Sequence, residues 1–215
     1  MYECHAFLIP KSQGECMQLK TNKREQIFPL PVALISTISK DGVRNAAPWS
    51  NITPVLRPLE EVMLASALKR DTLENIRETG EFVINIPPAD MAEAVVTCAR
   101  NFPPEVDEFE VAGLKPFASK VIGAPGIEGC LAWAECTLVE EILREKFSII
   151  IGKVVNLEVD ERFFNEEGRM DFENAKPLTC ILGSKGLTFT HPGPACKSIN
   201  YAEMFRGGKD PLEKA

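Results

Sequence analysis

A chain of 215 residues, 45% hydrophobic and 26% charged, has the balance of a globular protein with a substantial core and too much apolar surface to remain disordered. Its 31 acidic and 24 basic residues leave a net charge of −7, which offers no general attraction to nucleic acid or to an anionic membrane. No apolar run is long enough to cross a bilayer, and the opening MYECHAFLIPKSQGE lacks the pattern of a secretion signal, so the sequence predicts a cytoplasmic protein. The length predicts a single domain over residues 1–215.

Seven cysteines, an odd and scattered set without a CxxC pair, do not form a disulfide framework or a zinc or iron-sulfur spacing. Most read as buried packing residues. Cys4 with His5, and Cys196 with His191, are the weak exceptions, and no metal site is predicted.

Taken in order, the chain opens with a short strand or arm around Phe7 to Pro10, a polar stretch, and an extended lead-in at Ile27 to Pro31. The β-branched run Val32 to Ile38 predicts a strand, and Asp41-Gly42 predicts the turn of a hairpin, because glycine accepts the positive φ that such a turn needs. Pro48 interrupts the returning strand, Asn45 to Asn51. Proline cannot donate to a ladder, so that strand belongs at a sheet edge or bends away, leaving neighbouring amides free to face a ligand.

A further strand is expected at Glu61 to Ser66 and a helix from near Asp71, with Asp71-Thr72-Leu73-Glu74 reading as a capping box. A helix N-terminus attracts anions, and Ser66, Lys69, Arg70 and Thr72 add two cations and two hydroxyls beside it, a set able to hold a phosphate monoester. The same residues also fit a capped surface helix with solvated cations. Ser66 to Lys69 matches S-x-x-K, but the companion elements of a serine acyl enzyme are missing.

Glu81 to Ile86 predicts a strand and Ala89 to Arg100 a helix with Met91, Ala94, Val95 and Cys98 on one face. Asn101 to Gly126 is loop-rich, and reads equally as a lid or a packed connector. Gly129 to Glu140 and Lys146 to Val159 predict long strands with two different faces, with a bulge or bend at Gly152. Leu178 to Leu182 and Leu187 to Thr190 predict a hairpin, and the tail is expected to pack on the surface or on a partner and to fray past Gly207. Neither GxGxxG, Walker A, HExxH nor GxSxG is present.

The segments PVALISTISKDGVRNAAPWSN, KRDTLENIRETGEFVINIP, FEVAGL, AECTLVE and IIIGKVV, in that order over residues 28–160, resemble the flavin reductase-like family, which includes flavoredoxins. The resemblance implies a mainly β fold with a few short helices, an FMN-binding split β-barrel of Greek-key type, with its core over about residues 28–160. The N-terminal arm and C-terminal hairpin would pack on that core, and FMN would lie near the interface of a homodimer. Ser66, Lys69, Arg70 and Thr72 would hold the FMN phosphate; the strand carrying Asn45, Ala46, Ala47, Pro48, Trp49, Ser50 and Asn51 would supply backbone groups to its pyrimidine edge. Thr37, Ser50 and Asn51 resemble flavin-contacting positions, and Trp49 would either shield a ring face or pack in the core. No protein nucleophile or general base is required, because the flavin carries the electrons.

Many members of that family carry an Asp-His pair just before the strand that here follows Lys146-Phe147. Its absence leaves three readings. The first is a reductase using NADH or NADPH and reducing flavin, a metal or another acceptor. The second is a flavoredoxin-like carrier served by a ferredoxin-like protein donor, and the third a barrel that binds flavin or another small molecule without turnover.

Overall fold

The computed structural model describes residues 28–55, 59–166, 168–183, 185–197, 199 and 201–204; the expected N-terminal arm and the tail past Gly207 lie outside them. A two-residue strand β1 (Leu30–Pro31) leads into β2 (Ala33–Ile38), which turns through Gly42, at φ +84°, into β3 (Arg44–Trp49). Then follow β4 (Ile52–Pro54), β5 (Glu61–Ala67), helix α1 (Asp71–Thr79) and β6 (Glu81–Ile86). The predicted helix after β6 divides into a 3-10 turn, Ala89–Met91, and α2 (Ala92–Cys98). The predicted loop contains α3 (Glu108–Val111), β7 (Pro116–Phe117) and β8 (Gly126–Ile127). The long strands β9 (Ala132–Leu143) and β10 (Phe147–Val159) precede a 3-10 turn at Glu161–Phe163 and the short helix α4 (Phe172–Ala175), and the hairpin β11 (Thr179–Gly183) and β12 (Gly186–Thr190) follows, before α5 (Tyr201–Met204).

Seven strands form one antiparallel sheet in the order β3-β2-β6-β9-β10-β5-β4. β3 and β4 stand at its opposite edges, yet only Ser50 and Asn51 separate them in the chain. Three peptide steps reach roughly 11 Å, so the sheet must curl until its edges nearly meet. The result is the expected split barrel. The Asn51 carbonyl extends the β4–β5 pairing by accepting a hydrogen bond from the Ala65 amide at 2.9 Å. Pro48 falls on β3, an edge strand, where its missing N–H costs no ladder bond.

Period-two alternation sorts the side chains into two cores. Inside the barrel, Ala33 and Ile35 of β2, Phe82 and Ile84 of β6, Ala134 and Cys136 of β9 and Ile150 of β10 meet Leu73 and Ile76 of α1, which plugs the interior. On the outer face, Leu34, Val83 and Trp133 pack with Val95, Phe109, Ile122 and Ile127 from the helices and the covering segment. Trp133 thus belongs to the outer core. Gly152 sits where β10 shifts register against β9, and a Cβ there would collide with the Phe82 ring. The bulge and the glycine have one cause: Phe82 fills the barrel up to the backbone of β10.

The covering segment is pinned rather than loose. Glu135, buried on the outer face of β9, accepts hydrogen bonds from the amides of Lys120 (2.8 Å), Val121 (2.8 Å) and Ile122 (3.1 Å) and from Asn156 Nδ2 (2.8 Å). Burial alone would raise its carboxyl, but these donors together outweigh that and hold it below the usual carboxylate range. Asn85 Nδ2 donates to Ser36 Oγ, which donates to the Pro125 carbonyl, while Asn85 Oδ1 accepts from the Ile127 amide. Trp133 Nε1 donates to the Ile127 carbonyl and its ring stacks on Phe117 with centroids 4.4 Å apart. Residues 116–127 are therefore a packed connector.

Candidate cofactor-binding site

Beside the split in the barrel lies a cleft of about 780 Å³. Its floor comprises Asn45 and Ala47 to Trp49 of β3, the Ser50-Asn51 link, Ala65 to Ala67 of β5, and Lys69 to Thr72 at the start of α1. The segment from Cys98 to Pro104 forms one lip and Cys180, Leu182, Leu187 and Phe189 of the C-terminal hairpin another; Leu30, Val32 and Glu108 complete the wall. The hairpin is held there because β11 pairs with β1, which directly precedes β2.

Ten of the twelve residues expected at the site line this cleft: Asn45, Ala47, Pro48, Trp49, Ser50, Asn51, Ser66, Lys69, Arg70 and Thr72. Thr37 and Ala46 are fully buried and lie off its wall. Trp49 both packs in the inner core and reaches the cleft. The sequence names no site residue in the hairpin, in the lip or at Glu108, although Asn101 to Gly126 reads there as a lid or a connector; tertiary packing brings them to β3 and α1.

The start of α1 differs from the expected capping box. Arg70, in extended conformation, occupies the cap position and no side chain caps the helix. Thr72 instead donates through Oγ1 to Asn45 Oδ1 at 2.8 Å, and Glu74 pairs with Arg77 at 2.7 Å. Buried Asn45 needs a donor, and Thr72 fills that need rather than bonding to its own backbone. The helix therefore presents its unpaired amides and positive end to the cleft. Lys69 precedes it with φ +66°, a left-handed conformation rare for a residue with a Cβ. Lys69 and Arg70 are exposed, and neither takes part in an ion pair among the described residues. Ser66 is buried, with its hydroxyl donating to the Ala67 carbonyl at 2.8 Å.

Behind the floor runs a buried polar chain. Asn75 Nδ2 donates to Thr37 Oγ1 (3.0 Å), Thr37 Oγ1 to Asn45 Oδ1 (3.3 Å), and Asn45 Nδ2 to Glu108 Oε2 (2.9 Å). Burial lifts the Glu108 carboxyl from its ordinary value near 4.5 to about 7, against the opposing pull of the Asn45 amide. Burial and the nearby Glu108 likewise push the Cys98 thiol up to about 12, so it stays protonated and unreactive. Among the described residues no group of histidine, cysteine and acidic side chains could hold a metal ion, and no histidine lines the cleft.

Residues 24–178 match the model of the flavin reductase-like domain. The chain belongs to that family. It is 47% identical over 202 residues to an uncharacterized protein of Methanothermobacter thermautotrophicus, covering 91% of this chain and 95% of the relative. Among solved structures it superposes on nitrilotriacetate monooxygenase component B from Bacillus cereus with a TM-score of 0.76 and 28% identity, covering 86% of this chain and all of the other. Flavoredoxin from Methanosarcina acetivorans gives a TM-score of 0.76 at 21% identity, covering 86% and 95% of the two chains. Family membership supports flavin binding and oxidoreductase activity as the class of function. Among the described residues no helix is long and apolar enough to cross a membrane.

The residues present suit such a cofactor. Phosphate needs amides, hydroxyls and cations at one point, and the uncapped helix start with Ser66, Lys69 and Arg70 supplies them. A flat ring system needs close backbone and small side chains, and Ala47, Ser50, Ala65 and Ala67 supply those.

Proposed function

We propose that the cleft holds FMN and that the protein is an FMN-dependent oxidoreductase, passing electrons from a reduced donor to flavin, a metal or a protein acceptor. The observation that carries this reading is the uncapped N-terminus of α1, opening into the cleft beside two cations that have no ion-pair partner among the described residues. In this reading Ser66, Lys69, Arg70 and the first amides of α1 hold the phosphate, and Thr72, tied to Asn45, fixes the helix start against β3. The backbone from Asn45 to Asn51 borders the pyrimidine edge, on the side where β3, an edge strand, has no ladder partner. Thr37 acts from behind by holding Asn45. Bound flavin supplies the two-electron chemistry; the protein's part is to bind, orient and exclude water from the ring. The whole chain reads as one cytoplasmic domain built on the barrel.

Two donors remain in view. The cleft wall carries no histidine among the described residues, and by the family resemblance Lys146-Phe147 stands where many flavin reductases carry Asp-His; both favour a reduced protein such as a ferredoxin over NADH or NADPH. Visible spectra of anaerobic, purified protein decide between them. A yellow protein that bleaches promptly with NADH or NADPH is a nicotinamide-dependent reductase. One that stays oxidised until a reduced ferredoxin is added is a carrier. A colourless protein that takes up no added FMN removes the flavin reading.

The proposal includes a homodimer. On the outer face of β5, β9 and β10, Met63, Ile142, Phe147, Ile149 and Ile151 lie side by side, set by the pairs Ile151 to Met63, Ile149 to Ile142 and Phe147 to Ala67. Met63 and Phe147 are exposed there. This face is continuous with the cleft through Ala65 and Ala67, so a second copy seated on it would also close the cofactor's outer side. Light scattering should give the mass of two chains, and Phe147→Glu should give one.

A further inference from the structure

Glu108 has no place in the phosphate site, yet it is a carboxyl only 6% exposed on the wall of the same cleft. Every hydrogen bond in the chain behind it points toward it: Asn75 to Thr37, Thr37 and Thr72 to Asn45, and Asn45 to Glu108. Asn45 Oδ1 is used by the two threonine hydroxyls, so its amide faces Glu108 as a donor and cannot turn round without losing both. The chain therefore ends on the Glu108 carboxyl at the cleft wall, to which the backbone amides of Ala46 and of Glu108 itself also donate.

We propose that Glu108 is the proton-exchanging group of the cleft, taking up a proton when an anionic flavin enters. This rests on the FMN reading above. Two physical effects have the same sign. A ligand that displaces water from the wall deepens the carboxyl's desolvation, and a phosphate dianion in the same cleft adds like-charge repulsion; each favours the neutral acid. Before binding, the carboxyl is already poised near neutrality, at about 7. Uptake of one proton keeps the cleft from holding a carboxylate and a dianion together.

The groups facing Glu108 do not supply that proton themselves. Asp71, at the start of α1, adds repulsion in the same direction. Cys98 of α2 holds its proton up to about 12. Arg44 of β3 is engaged by Asp107 at 2.7 Å and by Glu110 at 3.7 Å, with its guanidinium over the Phe109 ring. Lys69, Arg70 and Arg100 also line the cleft wall.

The test is calorimetric titration of FMN into apoprotein at pH 8, in two buffers of different ionisation enthalpy. At that pH the phosphate of free FMN is already a dianion, its second pKa being about 6, so it exchanges no proton. Wild type should take up on the order of one proton per FMN at most, and its Kd should rise with pH above 7 by up to about tenfold per unit. Glu108→Gln keeps the shape and an acceptor for Asn45, and should bind FMN with no proton uptake and a pH-independent Kd. Equal uptake in both proteins, or none in wild type, overturns the proposal while leaving FMN binding intact; the wild-type result does so even if the variant fails to fold. Absence of FMN binding in wild type overturns the flavin reading and this inference with it.

Discussion

The two faces on which polar groups gather are built on opposite rules. Under the covering segment, Glu135, Asn85, Ser36 and Trp133 each meet named partners, and the chain that crosses them is held as firmly as a strand. At the cleft, the start of α1 lacks a side-chain cap, and Lys69 and Arg70 lack ion pairs among the described residues. A fold gains by satisfying its buried polar groups, so the closed network explains itself as architecture. The open one is explained by something that arrives from outside. Thr72 marks the border, because it turns from its own helix to serve Asn45 and leaves the helix start open.

That contrast can be broken from the closed side first. Trp133→Ala removes a buried ring, its stacking on Phe117 and its bond to Ile127, and should cost about 3–5 kcal/mol of stability in denaturant unfolding. A wild-type midpoint would place Trp133 outside the outer core. Next comes Glu135→Ala, which strands the amides of Lys120, Val121 and Ile122. Each unpaired buried group costs roughly 1–3 kcal/mol, and water entering the gap should hold the total near 3. Hydrogen exchange should speed up selectively at those three amides; uniform exchange across the barrel would show that the carboxylate does not pin the segment.

What the sequence made legible follows the same division. The strands are readable because β-branched runs and turn glycines mark them locally, and Gly152 reads as a bulge or bend from its place inside a strand, though only the fold brings the Phe82 ring against it. The floor of the cleft was readable because Asn45 to Asn51 and Ser66 to Thr72 are each short, contiguous stretches. Individual site residues of the lip, the hairpin and Glu108 were not, although Asn101 to Gly126 reads as a lid or a connector and Leu178 to Thr190 as a hairpin, since their membership depends on β11 pairing with β1 and on α3 packing against β3, contacts between residues far apart in the chain. The capping box misled for a related reason. Asp71-Thr72-Leu73-Glu74 fits the local pattern, but the buried need of Asn45, 27 residues away, claimed Thr72.

Two carboxyls sharpen the comparison through pH. The folded protein holds the Glu108 proton up to about 7, whereas the unfolded chain releases it near 4.5. The unfolded state thus binds fewer protons between those values, so stability falls as pH rises through that window and levels off above it. Glu135 has the opposite sign. Its folded carboxyl titrates below the usual range, so its contribution is present above the ordinary carboxylate value and is lost as pH falls through the folded one. Glu108→Gln should flatten the neutral side of a stability profile and leave the acid side intact. If the neutral slope survives in the variant, some group other than Glu108 titrates there.

The smallest effect on folding should accompany the largest on ligand. Lys69 and Arg70 are exposed and unpaired among the described residues, so replacing both by alanine removes little that the fold uses, about 0.5 kcal/mol or less. Lys69 even holds a left-handed backbone that alanine tolerates no better, which leaves any residual cost with the backbone rather than with the charge. If the open end of α1 is the phosphate site, the double variant should unfold at the wild-type midpoint and yet emerge from purification stripped of flavin, with added riboflavin, which has no phosphate, binding equally to both proteins. Wild-type flavin content would mean that the uncapped helix and its cations serve something else. A large loss of stability would mean that these charges belong to the architecture after all, and that the border between closed and open networks lies elsewhere than at Thr72.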